Sequence, residues 1–350
     1  MAADKMRVMM FLGPGQLELR RVPIPQPRPD EILLRVRAAT TCGTDLKTYL
    51  RGHPKVHPPI PFGHECAGDI VAVGSDVTQF KPGMRVVRHN TAACLNCYYC
   101  KQGQHNLCGD LLHSFGTYAD YLTVPGRIVR LNTFEIPPNL SYAEAAILEP
   151  LMCVVHGQRL LQIQPGEHVA IIGAGGPIGL MHVQMSLRCG AAQVMAVDLN
   201  DERLTVASEL GATVTVNSKQ NDPVATIHEL TGGRGADVVI ETAGAQEAWL
   251  TAFQSVRKGG RVQWFGGLKP GTSIDLDCGR IHYGEITSYG AYHGTPLDAL
   301  RALDLLASEV IDAKPLISGE LPLEKAEEAL LMMKAGKAIK VAINPELPAG

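Results

Sequence analysis

Along its first third the chain alternates apolar and polar positions in short runs. "RVMMFL" (7–12), "LELRRVPIP" (17–25) and "EILLRVRAA" (31–39) carry the period-two pattern of half-buried strands, with proline-rich turns such as "PIPQPRPDE" (23–31) between them. "HECAGDIVAVG" (64–74) and "GMRVVRHN" (83–90) continue this texture. Near Ser141 the period changes. "SYAEAAILEP" opens with Ser141 and, three residues on, Glu144, the signature of a capping box. After Pro165 apolar strands alternate with amphipathic helices. "EHVAIIG", "AQVMAVD", "ATVTV", "ADVVIET" and "RVQWFGG" read as strands. "PIGLMHVQMSLRCG", "NDERLTVASELG", "PVATIHELTGG" and "EAWLTAFQSVRKGG" (247–260) read as helices. That rhythm predicts a doubly wound parallel sheet. Beyond Ile286 it breaks into the helices "PLDALRALDLLASEV" and "LEKAEEALLMMKAG" and a last strand, "KAIKVAINP".

The expected class is therefore α/β, a β-rich part followed by a doubly wound part. The expected divisions are 1–150, 151–286, and a closing segment 287–350 that returns to the first part. Val169 to Leu187 lacks Asp, Glu, Lys and Arg, but it holds four glycines, a proline and His182. It reads as strand, turn and helix rather than a membrane span.

Composition narrows the function. The formal net charge of −3 offers no basic surplus for nucleic acid or an anionic membrane. The opening "MAADKMRVMMFLGPG" mixes Asp4, Lys5 and Arg7 with a short apolar run, so no export signal is expected and the protein is placed in the cytoplasm. Nine cysteines without an export signal favour metal binding over disulfides.

Four of them lie in "CLNCYYCKQGQHNLC": Cys94, Cys97, Cys100 and Cys108. Four thiolates at this spacing close a tetrahedron around zinc and leave no position for water, which describes a structural site. An iron–sulfur cluster and unrelated thiols are the alternatives; a nucleic-acid finger lacks its basic face.

"VAIIGAGGPIGLMHVQ" follows a strand and opens a helix, the context in which backbone N–H groups hold a pyrophosphate. Its candidate binding residues are Gly173, Gly175, Gly176, Pro177, Ile178 and Gly179, with Arg203 beyond. The glycine spacing contains one extra residue. Asp198 ends the next strand, 19 residues after Gly179, where a carboxylate accepts ribose hydroxyls and repels a 2′-phosphate. Leu199 and Asn200 follow it with no arginine immediately beside, so NAD is favoured over NADP.

"TTCGTDL", "PFGHECAG" and "AILEPLMC" offer Cys42, His64, Glu65 and Glu149, which spacing alone does not assign to a metal. Cys66, Cys153, His156, Cys189 and Cys278 are read as structural.

Taken in order, "CGTD", "GHE", the four-cysteine lobe, "EP" before a helix, the glycine turn and the acidic strand end resemble the zinc-dependent medium-chain dehydrogenase/reductase family over essentially the whole length. The subgroup resembles polyol, sugar or threonine dehydrogenases. The resemblance implies a GroES-like β-rich catalytic domain plus a Rossmann domain. It implies two zinc ions per chain, one structural and one catalytic on Cys42 and His64, with Glu65 and Glu149 as carboxylate candidates. It implies Thr44 as a hydroxyl relay for the alcohol proton. The position that carries a histidine in many relatives is Lys47 here, and Thr48 follows it. The implied activity is NAD-linked oxidation of a secondary alcohol to a ketone on a small-molecule substrate. The implied assembly is a homo-oligomer, a tetramer before a dimer, through a sheet edge near "GRVQWFGGLKPG" and "GEITSYGAY". The rivals are L-threonine 3-dehydrogenase, whose carboxylate needs a cation that sequence does not locate, and a non-catalytic zinc- and NAD-binding protein.

Overall fold

The computed structural model describes residues 5–349; residues 1–4 and 350, which the expected divisions include, lie outside the described residues. The chain forms two units. One runs up to Glu149 and takes in Thr295–Ser308 and the chain from Ala313. The other is Pro150–Gly294 with Glu309–Asp312.

In the first unit the central strand Ile32–Thr40 pairs antiparallel with Glu65–Val73, with Tyr121–Val124 and with the C-terminal strand Lys340–Ile343. The period-two pattern has its expected consequence. Ile32, Leu34, Ile70 and Val86 fill one apolar cluster, while Phe11, Val36, Phe62, Tyr118, Leu330 and Val341 fill another. Ser141 and Glu144 close the capping box of the helix Tyr142–Ala146.

The second unit is a six-stranded sheet, parallel throughout. Its spatial order is Val214–Asn217, Gln193–Asp198, His168–Ile172, Ala236–Glu241, Val256–Trp264 and Thr287–Gly290. The order reverses beside His168–Ile172, and crevices that hold ligands form at the strand C-termini of such a switch point. Thr287–Gly290 pairs with Val256–Trp264, so this unit extends to Gly294 rather than to the expected 286. The helix expected over 247–260 spans Gln246–Ser255. The β-branched, fully buried Val256 instead pairs with Ala236 and begins the next strand. Val169 to Leu187 is a strand, a turn and a helix, and among the described residues no helix is long and apolar enough to cross a membrane.

His182 sits at the centre of the helix Pro177–Arg188, fully buried. Gln158 Nε2 lies 3.0 Å from its Nδ1, and the Phe265 ring meets it edge-on at 4.8 Å. Burial pushes its pKa from 6.5 down to about 3. Between those values the unfolded chain binds the extra proton. The stability contributed by the neutral ring is therefore complete above pH 6.5 and is lost as pH falls, by about 2 kcal/mol at pH 5. The thermal midpoint of a His182→Gln variant should fall roughly 5 °C less than the parent's between pH 7 and pH 5. Equal falls would show that His182 is not the acid-sensitive group.

Candidate functional site

Cys42 is the N-cap of the helix Gly43–Arg51, and its Sγ accepts from the Thr44 backbone N–H at 3.4 Å. The cap is thus the cysteine itself, and Thr44, in the first turn, is exposed. His64 and Glu65 stand at the start of the strand Glu65–Val73. Backbone register sets Glu65 opposite Thr40, two residues before Cys42. The ligand atoms of Cys42, His64 and Glu65 all lie within 4.8 Å of one another.

Two further residues shape this group, and sequence reading passed over both. Asp45, one turn into the helix, meets His64 Nδ1 at 2.8 Å and accepts from Tyr118 Oη at 2.9 Å. A carboxylate there holds the ring with Nε2 free to face the sulfur. Burial works against a proton on His64, but Asp45 and Cys42 outweigh it and raise the pKa well above its usual value. The pocket is therefore electrostatically arranged for a positive charge between Cys42 and His64, as a metal-binding site requires.

The second is Lys340. Its Nζ lies 2.7 Å from Glu65 Oε2 and 3.0 Å from Oε1, and the side chains are 1% and 0% exposed. Thr40 Oγ1 also donates to Glu65. Burial raises the Glu65 pKa, with the Glu149 charge adding to it, while Lys340 and His64 pull it down. A lysine inside the apolar run "AIKVAI" was the available signal, since such a lysine must find a buried partner.

Glu149, in the first turn of the helix Leu148–Leu161, is buried but stands outside the close trio. His89 Nε2 lies 3.4 Å from its Oε1. The Thr91 N–H lies 3.2 Å from His89 Nδ1, on the other side of the ring. Thr91 pairs in turn with His113, whose Nε2 lies 3.3 Å from Lys55 Nζ. Neither His89 nor His113 was singled out by spacing.

Cys94, Cys97, Cys100 and Cys108 converge. Their recorded Sγ separations are 3.9 Å (94–100), 3.5 Å (97–100) and 3.9 Å (97–108). Four sulfurs about 2.3 Å from one zinc would be about 3.8 Å apart, so this set fits a zinc ion. Backbone N–H groups of Cys94, Asn96 and Cys97 point at sulfurs of the cluster. Backbone donors draw Cys97 down to about 6, while burial and the neighbouring thiols push Cys100 up to about 12. Without a cation, the four cannot all be thiolates.

In the second unit the strand His168–Ile172 runs into Gly173, at φ +84°, and Gly176 caps the helix that begins with Pro177 and Ile178. A Cβ on Gly175 would fall 2.6 Å from Arg203 Cβ, and one on Gly179 would fall 2.4 Å from Gly173 O. A Cβ on Gly176 meets nothing nearer than 3.6 Å. Gly176 is therefore the glycine of this turn with room for a side chain. Asp198 accepts from the N–H groups of Gly175 (2.9 Å), Leu199 (2.8 Å) and Asn200 (3.2 Å). Arg203 packs against Gly175 on the same side, although it is five residues further along the chain.

Of the residues read as structural, Cys66 is buried, Cys153 and Cys189 are half-buried and His156 is buried. Cys278 is exposed at the start of the helix Cys278–Tyr283 and packs no core, which corrects that reading. None of the nine cysteines is in a disulfide.

Residues 28–133 match the alcohol dehydrogenase GroES-like domain family, and residues 177–308 match the zinc-binding dehydrogenase family. The chain is 34% identical over 352 residues to a sorbitol dehydrogenase of Bacillus subtilis, covering 98% of each. It is 33% identical to an L-threonine 3-dehydrogenase of Bacillus velezensis, covering 93% of this chain and 95% of that one. It also resembles the crystal structure of a zinc-binding dehydrogenase-like protein of Sinorhizobium meliloti 1021 bound to NADP. That likeness has a TM-score of 0.91 and 33% identity, and covers 98% of this chain and 100% of the other.

Proposed function

The chain belongs to the zinc-binding alcohol dehydrogenase family with a GroES-like domain and a nucleotide-binding domain, and from that premise we propose that it oxidises a secondary alcohol of the polyol or sugar type to a ketone with NAD. The observation that carries this reading is the buried trio of Cys42, His64 and Glu65, in a chain 34% identical along almost its full length to a sorbitol dehydrogenase.

Cys42 and His64 would hold the catalytic zinc, with a carboxylate from Glu65 or Glu149. Glu65 has both oxygens engaged by Lys340. The close trio sets Glu65 beside Cys42 and His64, and Glu149 is the second carboxylate candidate. When bound, zinc supplies Lewis acidity toward the alcohol oxygen. Asp45 fixes the His64 ring. The exposed hydroxyl of Thr44 takes the alcohol proton and passes it outward. The N–H groups of Ile178 and Gly179, at the start of the helix, are the ones presented to the pyrophosphate, and Asp198 accepts the ribose hydroxyls. Cys94, Cys97, Cys100 and Cys108 would hold a second zinc.

NAD is preferred because a 2′-phosphate would meet the Asp198 carboxylate; Arg203 beside it softens the preference without reversing it. The chain assembles as a homo-oligomer, a tetramer, through Thr287–Gly290, an exposed edge strand with pairing on one side. The cytoplasm is the compartment we assign, since four of the nine cysteines gather in one metal-binding lobe.

A specific observation favours a second substrate reading, L-threonine. Lys55 beside His113 is a cation suited to a carboxylate, and the pair is linked through Thr91 to His89 and Glu149. Burial, then Lys55, then His53, His89 and His64, push His113 down to about 4, so these groups share one neighbourhood.

The experiment is NAD reduction by zinc-loaded protein with polyols, aldoses, inositols, L-threonine and simple secondary alcohols, beside an EDTA-treated control, for the parent and Lys55→Met. Metal-dependent turnover of a polyol or sugar, indifferent to Lys55→Met, supports the main reading. Threonine turnover whose KM rises tenfold or more in Lys55→Met, with kcat held, moves the assignment to the second. No metal-dependent turnover of any substrate would overturn both.

A further inference from the structure

The second unit has a cavity of ≈ 660 Å³ that the dinucleotide reading leaves unused. It lies at the opposite edge of the sheet from Gly175 and Asp198. Its walls are the N-terminal ends of two parallel strands (Asp237, Val256, Arg257, Lys258), the turn before the first of them (Gly233, Arg234) and the helix Cys278–Tyr283. Nucleotide loops follow strand C-termini. A strand of five or six residues spans roughly 17–20 Å, so the cavity is a separate place.

Its charge is one-sided. Arg234, Arg257, Lys258 and Arg280 line it, with Asp237 as the acid among its lining residues. Arg257 Nε takes up Asp237 at 2.5 Å, and Asp237 also accepts from the His168 N–H at 2.8 Å, so that carboxylate is spent. Arg280 Nη2 donates to the carbonyls of Gln254 (2.9 Å) and Val256 (2.8 Å), and its guanidinium lies over Phe253. Arg234 Nε donates to Thr231 O at 3.1 Å. These carbonyls orient the two guanidiniums without cancelling their charge. Lys258 has no ion-pair partner among the described residues. Three uncompensated cations thus converge on one concavity in a chain whose formal net charge is −3. Tyr283, 82% exposed, stands at the rim.

We infer that this cavity is a second anion site, which takes a small phosphate-bearing metabolite through Arg234, Lys258 and Arg280. A phosphoryl dianion suits three cations that arrive from different elements. Guanidiniums held by carbonyls are already set for paired hydrogen bonds to its oxygens. The volume falls in the range of small-molecule sites. Occupancy ties the helix Cys278–Tyr283 to the sheet. That helix leads straight into the edge strand Thr287–Gly290, so the ligand stabilises the segment proposed above for assembly.

The test is thermal unfolding of the intact, zinc-loaded protein at constant ionic strength. Saturating NADH keeps the dinucleotide site filled. Inorganic phosphate and glucose 6-phosphate are titrated separately, with sulfate as a second dianion and chloride as the salt control. The expected result is a saturable rise of roughly 5 °C at hundredfold excess over Kd. A stronger response to the ester than to phosphate would mark the metabolite as an ester; the reverse would mark it as free phosphate. Lys258→Gln should keep the parent's midpoint without ligand and weaken binding at least fivefold. Lys258→Glu with Arg234→Glu should abolish the rise while NAD reduction persists. No saturable rise, a rise that vanishes when NADH is present, or an unchanged rise in Lys258→Gln would each overturn the inference.

Discussion

A Lys340→Met variant should lose about 3–5 kcal/mol of stability at pH 8, because it leaves Glu65 as a buried carboxylate without its cation. The lysine stem packs where methionine fits, so little of the loss comes from volume. The pH dependence separates charge from packing. Glu65 already has a pKa raised by burial, and removal of Lys340 raises it further. A carboxyl whose folded pKa lies above its unfolded value contributes its stability fully below the unfolded value of about 4.5. It loses that contribution as pH climbs through the folded value. The variant's deficit should therefore be large at pH 8 and shrink toward pH 5. Adding Glu65→Gln should restore most of the stability at pH 8. Denaturation at both pH values, with zinc counted in each variant, checks this. A deficit independent of pH, or unrelieved in the double variant, would mean that Lys340 acts by packing alone.

Cys97→Ser should cost the chain one of two zinc equivalents and unfold the lobe locally. Little else holds 94–108 together. Its helix Tyr98–Lys101 has four residues, its apolar cluster is Ala93, Cys100 and Cys108 with few neighbours, and Leu95, Tyr98, Tyr99 and Leu107 are exposed. Structural zinc sites supply on the order of 10 kcal/mol of folding free energy to such segments. A serine oxygen is a poor substitute for a thiolate, so most of that is forfeited. The variant should show trypsin cleavage after Lys101, where the parent resists, and a lower thermal midpoint. The remaining zinc equivalent should stay bound. Two zinc ions retained with an unchanged cleavage pattern would remove the structural assignment of the lobe.

What was legible in the sequence follows from range. The alternating strands, the capping box at Ser141, the four-cysteine spacing, and a glycine turn followed by an acidic strand end each reside in a few consecutive residues. Local sterics and short-range hydrogen bonds act on them directly. The extra glycine in the nucleotide turn was visible as an irregularity. Only the contacts of Gly173, Gly175 and Gly179 identified Gly176 as the position with room to spare.

The sequence alone determined the two-part α/β architecture, the zinc-binding dehydrogenase resemblance and the principal metal and nucleotide candidates, because their signals are periodic or contiguous. Tertiary structure decided which groups stand behind them. Lys340 reaches Glu65 across 275 residues because the C-terminal strand pairs beside Thr40. Asp45 orients His64 because a helix turn sets it against the next strand. Three cations surround one cavity because a turn, a strand N-terminus and a helix bring Arg234, Lys258 and Arg280 together. In the first two cases a buried charge is satisfied by a partner distant in sequence; in the third, like charges from separate elements are gathered without one; no local pattern encodes either arrangement.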